Sequence, residues 1–119
     1  LENKIHLPGF IEDLYVFYKL ADVFVISSIH EGFGNVVVES LSVGTSVVST
    51  SSGGPEEILD YGRFGTIAKP EDSNDLSDKI LYKLMNKDKP DLLIDRSKEF
   101  SKEYISEIYL HKIMEVINN

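Results

Sequence analysis

Two glutamates eight positions apart, Glu31 and Glu39, bracket a Gly-Phe-Gly turn and a run of three valines. A carboxylate accepts hydrogen bonds from neighbouring hydroxyls, so either glutamate suits a sugar or a ribose diol. Glycines at positions 32 and 34 permit positive φ angles and let the backbone approach a ligand closely. A helix that begins just after them would point free amides at an anion such as a diphosphate. The spacing therefore predicts a site for a ligand with both hydroxyls and phosphates.

The residues of this stretch divide into two predicted roles. Glu31 lies in the loop, where it would accept hydrogen bonds from hydroxyls, and the amides near Gly34, Asn35 and Val36 would hold the anion. Glu39 follows Asn35 by one helical turn on the same side and suits a ribose diol. Structural explanations stay open, because such loops are common between a strand and a helix and Glu39 alone suits a solvated helix position.

Two nucleotide-binding motifs and a metal cluster are excluded by the sequence. Gly32 and Gly34 begin a G-x-G pattern, but Val37 occupies the third glycine position of the dinucleotide fingerprint. The chain contains no G-x-x-x-x-G-K-[ST] phosphate-binding loop. His6 and His111 stand in unrelated segments and the chain has no cysteine, so we expect no metal site.

The composition predicts one small globular domain without nucleic acid as a partner. The chain has 119 residues, 42% of them hydrophobic and 27% charged, with a net charge of −8. That charge argues against nucleic acid or an anionic membrane surface. The absence of cysteine and of any apolar run long enough for a leader or a span predicts a cytoplasmic location. The chain begins at Leu1 instead of methionine, so we expect it to be part of a longer protein.

The elements that must position the site alternate between strands and helices. Residues 4–7 are predicted to form a strand that Pro8 ends, and Asp13 is predicted to cap a helix. The apolar positions of that helix are Leu14, Phe17, Tyr18 and Ala21. Residues 23–28 form a β-branched and aromatic run, which is typical of a strand covered on both faces of a parallel sheet.

The valine run between the two glutamates permits two structures. A helix over residues 35–43 would have Asn35 as its cap and Gly44 at its end. A strand is the competing interpretation, and it would form a hairpin through Gly44 and Thr45 with the following strand. We favour the helix, because residues 46–49 make a better strand.

The second half of the chain is predicted to hold one more strand and several helices. Pro55 suits the first turn of a short helix with Glu56 and Glu57 near its positive end, and residues 66–68 suit a strand. A helix over residues 72–86 would place Leu76, Ile80, Leu81 and Leu84 on one side, and Pro90 would begin another helix. A terminal helical stripe comprises Ile105, Ile108, Tyr109, Ile113, Val116 and Ile117.

This order of elements predicts an α/β fold: a Rossmann-like partial parallel sheet with helices on both faces. The sequence offers about four strands, fewer than a complete doubly wound sheet requires. We therefore expect residues 1–119 to be a single domain of a larger protein.

Several ordered motifs resemble retaining glycosyltransferases of the GT-B fold, family four. The segment "SSIHEGFGNVVVES" resembles the E-x7-E signature of that family, and "LPGFIEDLYVFYKLADVFVISS" resembles the strand, helix and strand before it. The segments "SSGGPEEIL" and "GRFGTIAKPEDSNDLSDKI" are similar to the loop and the strand and helix that follow. The resemblance extends over about residues 4–84 and implies the C-terminal part of a GT-B fold, which binds a nucleotide sugar.

The resemblance implies a role for each residue of the signature. Glu31 matches the first glutamate, which contacts the donor sugar and is the candidate catalytic residue. Gly32, Phe33, Gly34 and Asn35 match the loop whose backbone holds sugar and diphosphate, and Glu39 matches the ribose-binding glutamate. Such enzymes need no metal or other cofactor, because amides and basic side chains stabilise the leaving group.

Three departures limit the resemblance. The basic pair that clamps the diphosphate would lie before Leu1, and so would the acceptor-binding N-terminal domain; both are therefore expected outside these 119 residues, which alone should be inactive. Ser46 stands where the family usually has proline.

The resemblance implies transfer of a sugar from a nucleotide-diphosphate donor, expected to be UDP-linked, such as UDP-GalNAc or another UDP-hexose. The expected acceptor is a lipid-linked saccharide of bacterial O-antigen or capsule synthesis, with the parent peripheral to the inner face of the membrane. The alternatives are a non-catalytic nucleotide-sugar-binding module and a nucleotide-sugar epimerase. The terminal stripe is expected to pack against preceding residues or to mediate self-association.

Overall fold

A parallel sheet of three strands organises the chain in the computed structural model, which describes residues 2–101, 110, 111 and 113–118. The strands are β1 (Phe24–Ile26), β2 (Val47–Thr50) and β3 (Thr66–Ala68), in the order β1-β2-β3. The helices are α1 (Tyr15–Leu20), α2 (Asn35–Ser42), α3 (Gly54–Ile58), α4 (Ser73–Met85) and α5 (Pro90–Lys98). Two short 3-10 turns lie at Glu2–Lys4 and Asp60–Gly62.

Different helices cover the two faces of the sheet. On one face Val47 of β2 packs in a cluster with Val37 and Leu41 of α2 and Leu93 of α5, all of them almost fully buried. Val48 is equally buried and points to the opposite face, because side chains alternate along a strand. Helix α4 packs against β2 and β3 there. The predicted α/β fold with helices on both faces of a parallel sheet is confirmed.

The valine run forms α2, and the competing hairpin is wrong. Strands β1 and β2 run parallel, which requires a crossover connection and excludes a direct turn between them. Gly34 precedes the helix at φ +88° and Gly44 follows it at φ +80°, both in the left-handed region that favours glycine. Asn35 is the first helical residue and not the cap, because Gly34 already takes the non-helical position.

The predicted strand at residues 4–7 is wrong. A strand needs a neighbour for its backbone hydrogen bonds, and in the described structure β1 pairs with β2 alone. Ile5 and Leu7 of this segment are 58% and 91% exposed, so their side chains add no packing that would hold an extended chain in place. The described sheet therefore has three strands where the sequence suggested about four.

The helices after the sheet's second strand begin where the sequence predicts. Pro55 lies in the first turn of α3, Pro90 begins α5, and Asp72 Oδ1 accepts the Asp75 amide at 2.9 Å before α4. The predicted apolar side of α4 is only partly right. Leu81 and Leu84 are exposed, and Lys83 is the buried residue of this helix instead.

Lys83 and Asp88 form an ion pair that ties the end of α4 to the segment before α5. The atoms Lys83 Nζ and Asp88 Oδ2 lie 2.9 Å apart, with 6% and 23% of the two side chains exposed. The Asp88 amide also donates to Ser46 Oγ at 3.0 Å, beside the start of β2. The pair therefore joins α4 to the sheet through the linker.

Replacing Lys83 by methionine is expected to lower the free energy of unfolding by about 2 kcal/mol, since Asp88 then stays largely buried without its partner. Because 23% of the Asp88 side chain is exposed, the loss of stability stays below the roughly 3–5 kcal/mol typical of a fully buried pair. Urea unfolding followed by circular dichroism measures the change. Lys98→Met removes an exposed pair with Asp95 at 3.6 Å and should cost less than about 0.5 kcal/mol. Equal losses in the two variants would contradict the prediction.

The C-terminal stripe is described only in part. Residues 110, 111 and 113–118 are helical, and Ile113, Val116 and Ile117 are exposed. Ile105, Ile108 and Tyr109 lie outside the described residues. Packing of this stripe against other residues or another copy therefore stays a prediction. Among the described helices, none has the length and apolar character needed to cross a membrane.

Candidate functional site

The loop that contains Glu31 lies at the carboxyl edge of the sheet, between β1 and α2. The Glu31 amide donates to the Ser52 carbonyl at 2.9 Å, and Glu31 forms an isolated parallel bridge with Gly53. These contacts join the loop after β1 to the loop after β2. The backbone of Glu31 is therefore fixed, while its half-buried side chain stays accessible.

The two loops touch so closely that a side chain cannot fit between them. A Cβ added to Gly54 would lie 1.9 Å from the Gly32 carbonyl oxygen and 2.4 Å from that of Phe33. Gly34 is also confined, since a Cβ there would lie 3.2 Å from Pro55 Cγ at a φ of +88°. Both glycines are required by geometry, so the path of the Gly-Phe-Gly turn is determined by the loop after β2.

The start of α2 provides amides that an anion can bind. Asn35 and Val36 are its first two residues, and in the described part of the chain their amides have no hydrogen-bond partner, whereas the Val37 amide donates to the Gly34 carbonyl. Residues 27–39 contain no lysine or arginine. A phosphate at this point would therefore be held by backbone amides and the helix dipole.

A groove of about 350 Å³ opens at the same edge of the sheet, on the side of α4. Ser27, Thr50 and Lys69 line it where the three strands end, together with the first residues of α4. Its charged residues are one cation, Lys69, and two acids, Glu71 and Asp72. The carboxyl edge thus offers a cavity in the position where open α/β sheets bind ligands.

Phe33, at the tip of the loop, rests on a group of side chains that the sequence did not single out. Its ring centroid lies 5.9 Å from that of Phe100, and the ring is 44% exposed. The Arg96 guanidinium lies 4.8 Å from the Phe100 ring and 5.0 Å from the Phe64 ring. Arg96 also forms an ion pair with Glu99. Phe100, just after α5, therefore contacts the loop directly, and Arg96 of α5 packs on Phe100.

Arg96 also bonds to the backbone that follows the Gly-Gly loop. Its Nε donates to the Ile58 carbonyl at 2.9 Å and a terminal nitrogen donates to the Glu57 carbonyl at 3.0 Å. One feature of the sequence could have indicated this contact: Arg96 and Phe100 are four residues apart, a spacing that places two side chains on one side of a helix. Their partners are distant in sequence, which is why this group was missed.

Glu39 lies half-buried on α2, one turn after the helix start, as predicted. Its Oε2 accepts a hydrogen bond from the Tyr18 hydroxyl at 3.0 Å. Burial, followed by the hydrogen bond and the charge of Glu39, raises the pKa of the Tyr18 phenol well above its ordinary value. Tyr18 was predicted only as an apolar position of α1, so its polar contact with Glu39 was missed.

The structure thus places the predicted residues along one continuous strip. Glu31, Gly32, Phe33 and Gly34 form the loop, Asn35 and Val36 begin α2, and Glu39 lies one turn further along. Within the ranges that the structure describes, no three histidine, aspartate or glutamate side chains cluster as metal ligands. The expectation that the protein needs no metal stays a prediction.

Comparisons with known proteins agree on one family and one fold. Residues 1–100 match the family described as glycosyl transferases group 1. The chain is 41% identical over 78 residues to the mannosylfructose-phosphate synthase of Agrobacterium fabrum, covering 64% of this chain and 17% of that protein. It is 33% identical over 115 residues to a lipopolysaccharide core biosynthesis glycosyltransferase of Rhizobium meliloti, covering 92% and 34%.

The structural comparison finds a protein with the same fold. A sucrose-phosphate synthase from Thermosynechococcus elongatus superposes with a TM-score of 0.71 and 26% identity, over 88% of this chain and 28% of that chain. The chain therefore spans about a third or less of the length of each of these proteins.

Proposed function

Because the chain belongs to the glycosyl transferases group 1 family, we propose that it is the nucleotide-sugar-binding part of a retaining glycosyltransferase, family four. Its three-stranded parallel sheet and flanking helices have the fold expected of the C-terminal part of a GT-B enzyme. Binding of the acceptor is assigned to residues outside these 119, since the relatives are about three times longer or more.

The observation that carries this proposal is the strip from Glu31 to Glu39. It offers a carboxylate, a turn with exposed backbone, two free amides at a helix start and a second carboxylate, in that order. A nucleoside-diphosphate sugar presents matching groups in the same order: sugar hydroxyls, a diphosphate and a ribose diol. We assign Glu31 to the sugar, Gly32 to Val36 to the sugar and diphosphate, and Glu39 to the ribose.

The proposed reaction breaks the bond between the anomeric carbon of the sugar and the diphosphate oxygen. A new bond forms between that carbon and an acceptor hydroxyl on the same face, and the hydroxyl proton is lost to the departing nucleoside diphosphate or to solvent. The amides of Asn35 and Val36 would stabilise the charge that develops on the diphosphate. Glu31 would orient the sugar or stabilise positive charge at its anomeric carbon.

The proposed donor is a UDP-hexose such as UDP-GalNAc, and the proposed acceptor is a lipid-linked saccharide of bacterial surface polysaccharide. The relative named for lipopolysaccharide core biosynthesis supports such an acceptor. The similarity to mannosylfructose-phosphate synthase and to sucrose-phosphate synthase supports a different acceptor, a sugar phosphate. A lipid-linked acceptor would bring the protein to the inner face of the membrane.

Screening of donors with the protein at its native length tests this function. We expect calorimetry to detect binding of UDP-sugars, and mass spectrometry to detect transfer to a lipid-linked saccharide. Glu39→Gln is expected to weaken donor binding about tenfold, since a neutral amide loses the charge-assisted bonds to the ribose. Glu57→Gln, on an exposed part of α3, is the matched control and should leave binding unchanged.

The other outcomes of this screen identify the alternatives. Binding without any turnover would indicate a non-catalytic module, and release of an isomerised sugar without an acceptor would indicate an epimerase. Transfer to a sugar phosphate would overturn the proposed acceptor while keeping the transferase. Failure to bind any nucleotide sugar would overturn the proposed function itself.

A further inference from the structure

Tyr18 is hydrogen-bonded to one of the two oxygens of the Glu39 carboxylate. Its hydroxyl donates to Glu39 Oε2 at 3.0 Å, and the tyrosine is only 3% exposed. Oε1 of the same carboxylate has no hydrogen-bond donor among the described residues. Glu39 itself is half-buried, so its second oxygen stays within reach of a ligand. One oxygen is therefore committed to the protein and the other is available.

Tyr18 is held at both its ring and its backbone. Its ring makes edge-to-face contacts with Phe24 at 5.1 Å and with Tyr15 at 6.2 Å between centroids. Its carbonyl accepts the buried Thr45 hydroxyl at 2.5 Å, just beyond the end of α2. A residue restrained in this way presents its hydroxyl in one place, so the position of the carboxylate is determined as well.

The Tyr18 phenol is protonated at neutral pH and so acts as a hydrogen-bond donor. Burial and the neighbouring Glu39 charge both raise the Tyr18 pKa above its ordinary value, so the hydroxyl keeps its proton. A glutamate side chain that is free to rotate would have to be ordered when a ligand binds, and that ordering reduces affinity. The bond from Tyr18 orders Glu39 in advance.

We propose that Tyr18 is a positioning residue, which holds Glu39 so that its free oxygen meets the hydroxyls of the donor ribose. This inference rests on the proposed function, because it takes Glu39 as the ribose-binding residue. Tyr18 acts through Glu39 and does not itself touch the nucleotide. A purely structural role is the alternative, since the same bond also ties α1 to α2.

Tyr18→Phe is the informative variant, because it keeps the ring contacts and removes only the hydroxyl. Calorimetry at native length would compare UDP with 2′,3′-dideoxy-UDP, which lacks both hydroxyls of the ribose diol, for the wild-type protein and the variant. We expect UDP to bind about five- to tenfold more weakly to the variant, while the affinity for 2′,3′-dideoxy-UDP changes about twofold or less. Tyr15→Phe removes a hydroxyl from the neighbouring, exposed ring and should change neither value.

The preference for ribose over dideoxyribose is the readout that a purely structural role of Tyr18 would not change. Loss of the hydroxyl should shrink this preference in the wild-type background and leave it unchanged in a Glu39→Ala background. If Tyr18→Phe weakens the binding of both nucleotides equally, or leaves the preference for ribose undiminished, the inference is overturned while the proposed function stands. A protein that binds none of UDP, GDP and ADP would overturn both. If GDP or ADP binds instead, the corresponding pair of ribonucleotide and 2′,3′-dideoxynucleotide serves as the probe with the same expected results.

Discussion

Gly54→Ala is expected to reduce donor affinity about a hundredfold, although the substitution adds a single methyl group outside the predicted contacts. The added carbon would lie 1.9 Å from the Gly32 carbonyl oxygen and 2.4 Å from the Phe33 carbonyl oxygen. Backbone atoms cannot move aside as a side chain can, so the Gly-Phe-Gly turn must shift by more than 1 Å. A displaced turn loses its bonds to the donor, and hydrogen bonds to a charged group are worth about 1.5–3 kcal/mol each. A loss of about one or two such bonds gives the hundredfold effect, since about 1.4 kcal/mol is tenfold in affinity.

The same variant should also unfold more easily, by about 1–3 kcal/mol, the usual cost of overpacking. Gly32→Ala is the control for stability, because no atom lies within 4 Å of its added carbon and its φ lies outside the left-handed region. Urea unfolding and calorimetry with a UDP-sugar measure the two effects separately. Wild-type affinity in Gly54→Ala would show that the donor does not use this turn.

Glu31→Gln is expected to lower the rate of sugar transfer by about a hundredfold to ten-thousandfold, the range for removing a group that acts on the reacting atoms. The backbone bond from the Glu31 amide to the Ser52 carbonyl is unaffected by the side chain, so the fold should persist. Initial rates with saturating donor and acceptor, measured at native length, provide the test. Wild-type turnover would show that the Glu31 side chain does not act in the reaction.

The way this loss divides between kinetic constants also identifies the role of Glu31. A lower kcat with an unchanged dissociation constant for the donor would indicate an interaction made in the transition state. A higher KM with an unchanged kcat would indicate that Glu31 only holds the sugar. Glu57→Gln again serves as the control, because it removes an exposed carboxylate from the neighbouring helix without touching the loop.

Most of the elements were predictable because their signals are local. The β-branched runs became β1 and β2, residues 66–68 became β3, and proline or aspartate marked the starts of α3, α4 and α5. The predicted strand at residues 4–7 failed because a strand depends on a neighbour that its own sequence does not contain. Similarly, the burial of Lys83 instead of Leu84 depends on Asp88 and not on the periodicity of α4.

The sequence by itself determined the order of the elements from α1 to α5 and the strip from Glu31 to Glu39, because turn glycines, helix starts and side-chain spacing act over a few residues. The tertiary structure alone decided what holds that strip in place. Gly54 confines the turn, Arg96 bonds to carbonyls 38 and 39 residues away, and Tyr18 reaches Glu39 across 21 residues. Such contacts form between segments that approach only when the sheet and its helices pack, so no local pattern specifies them.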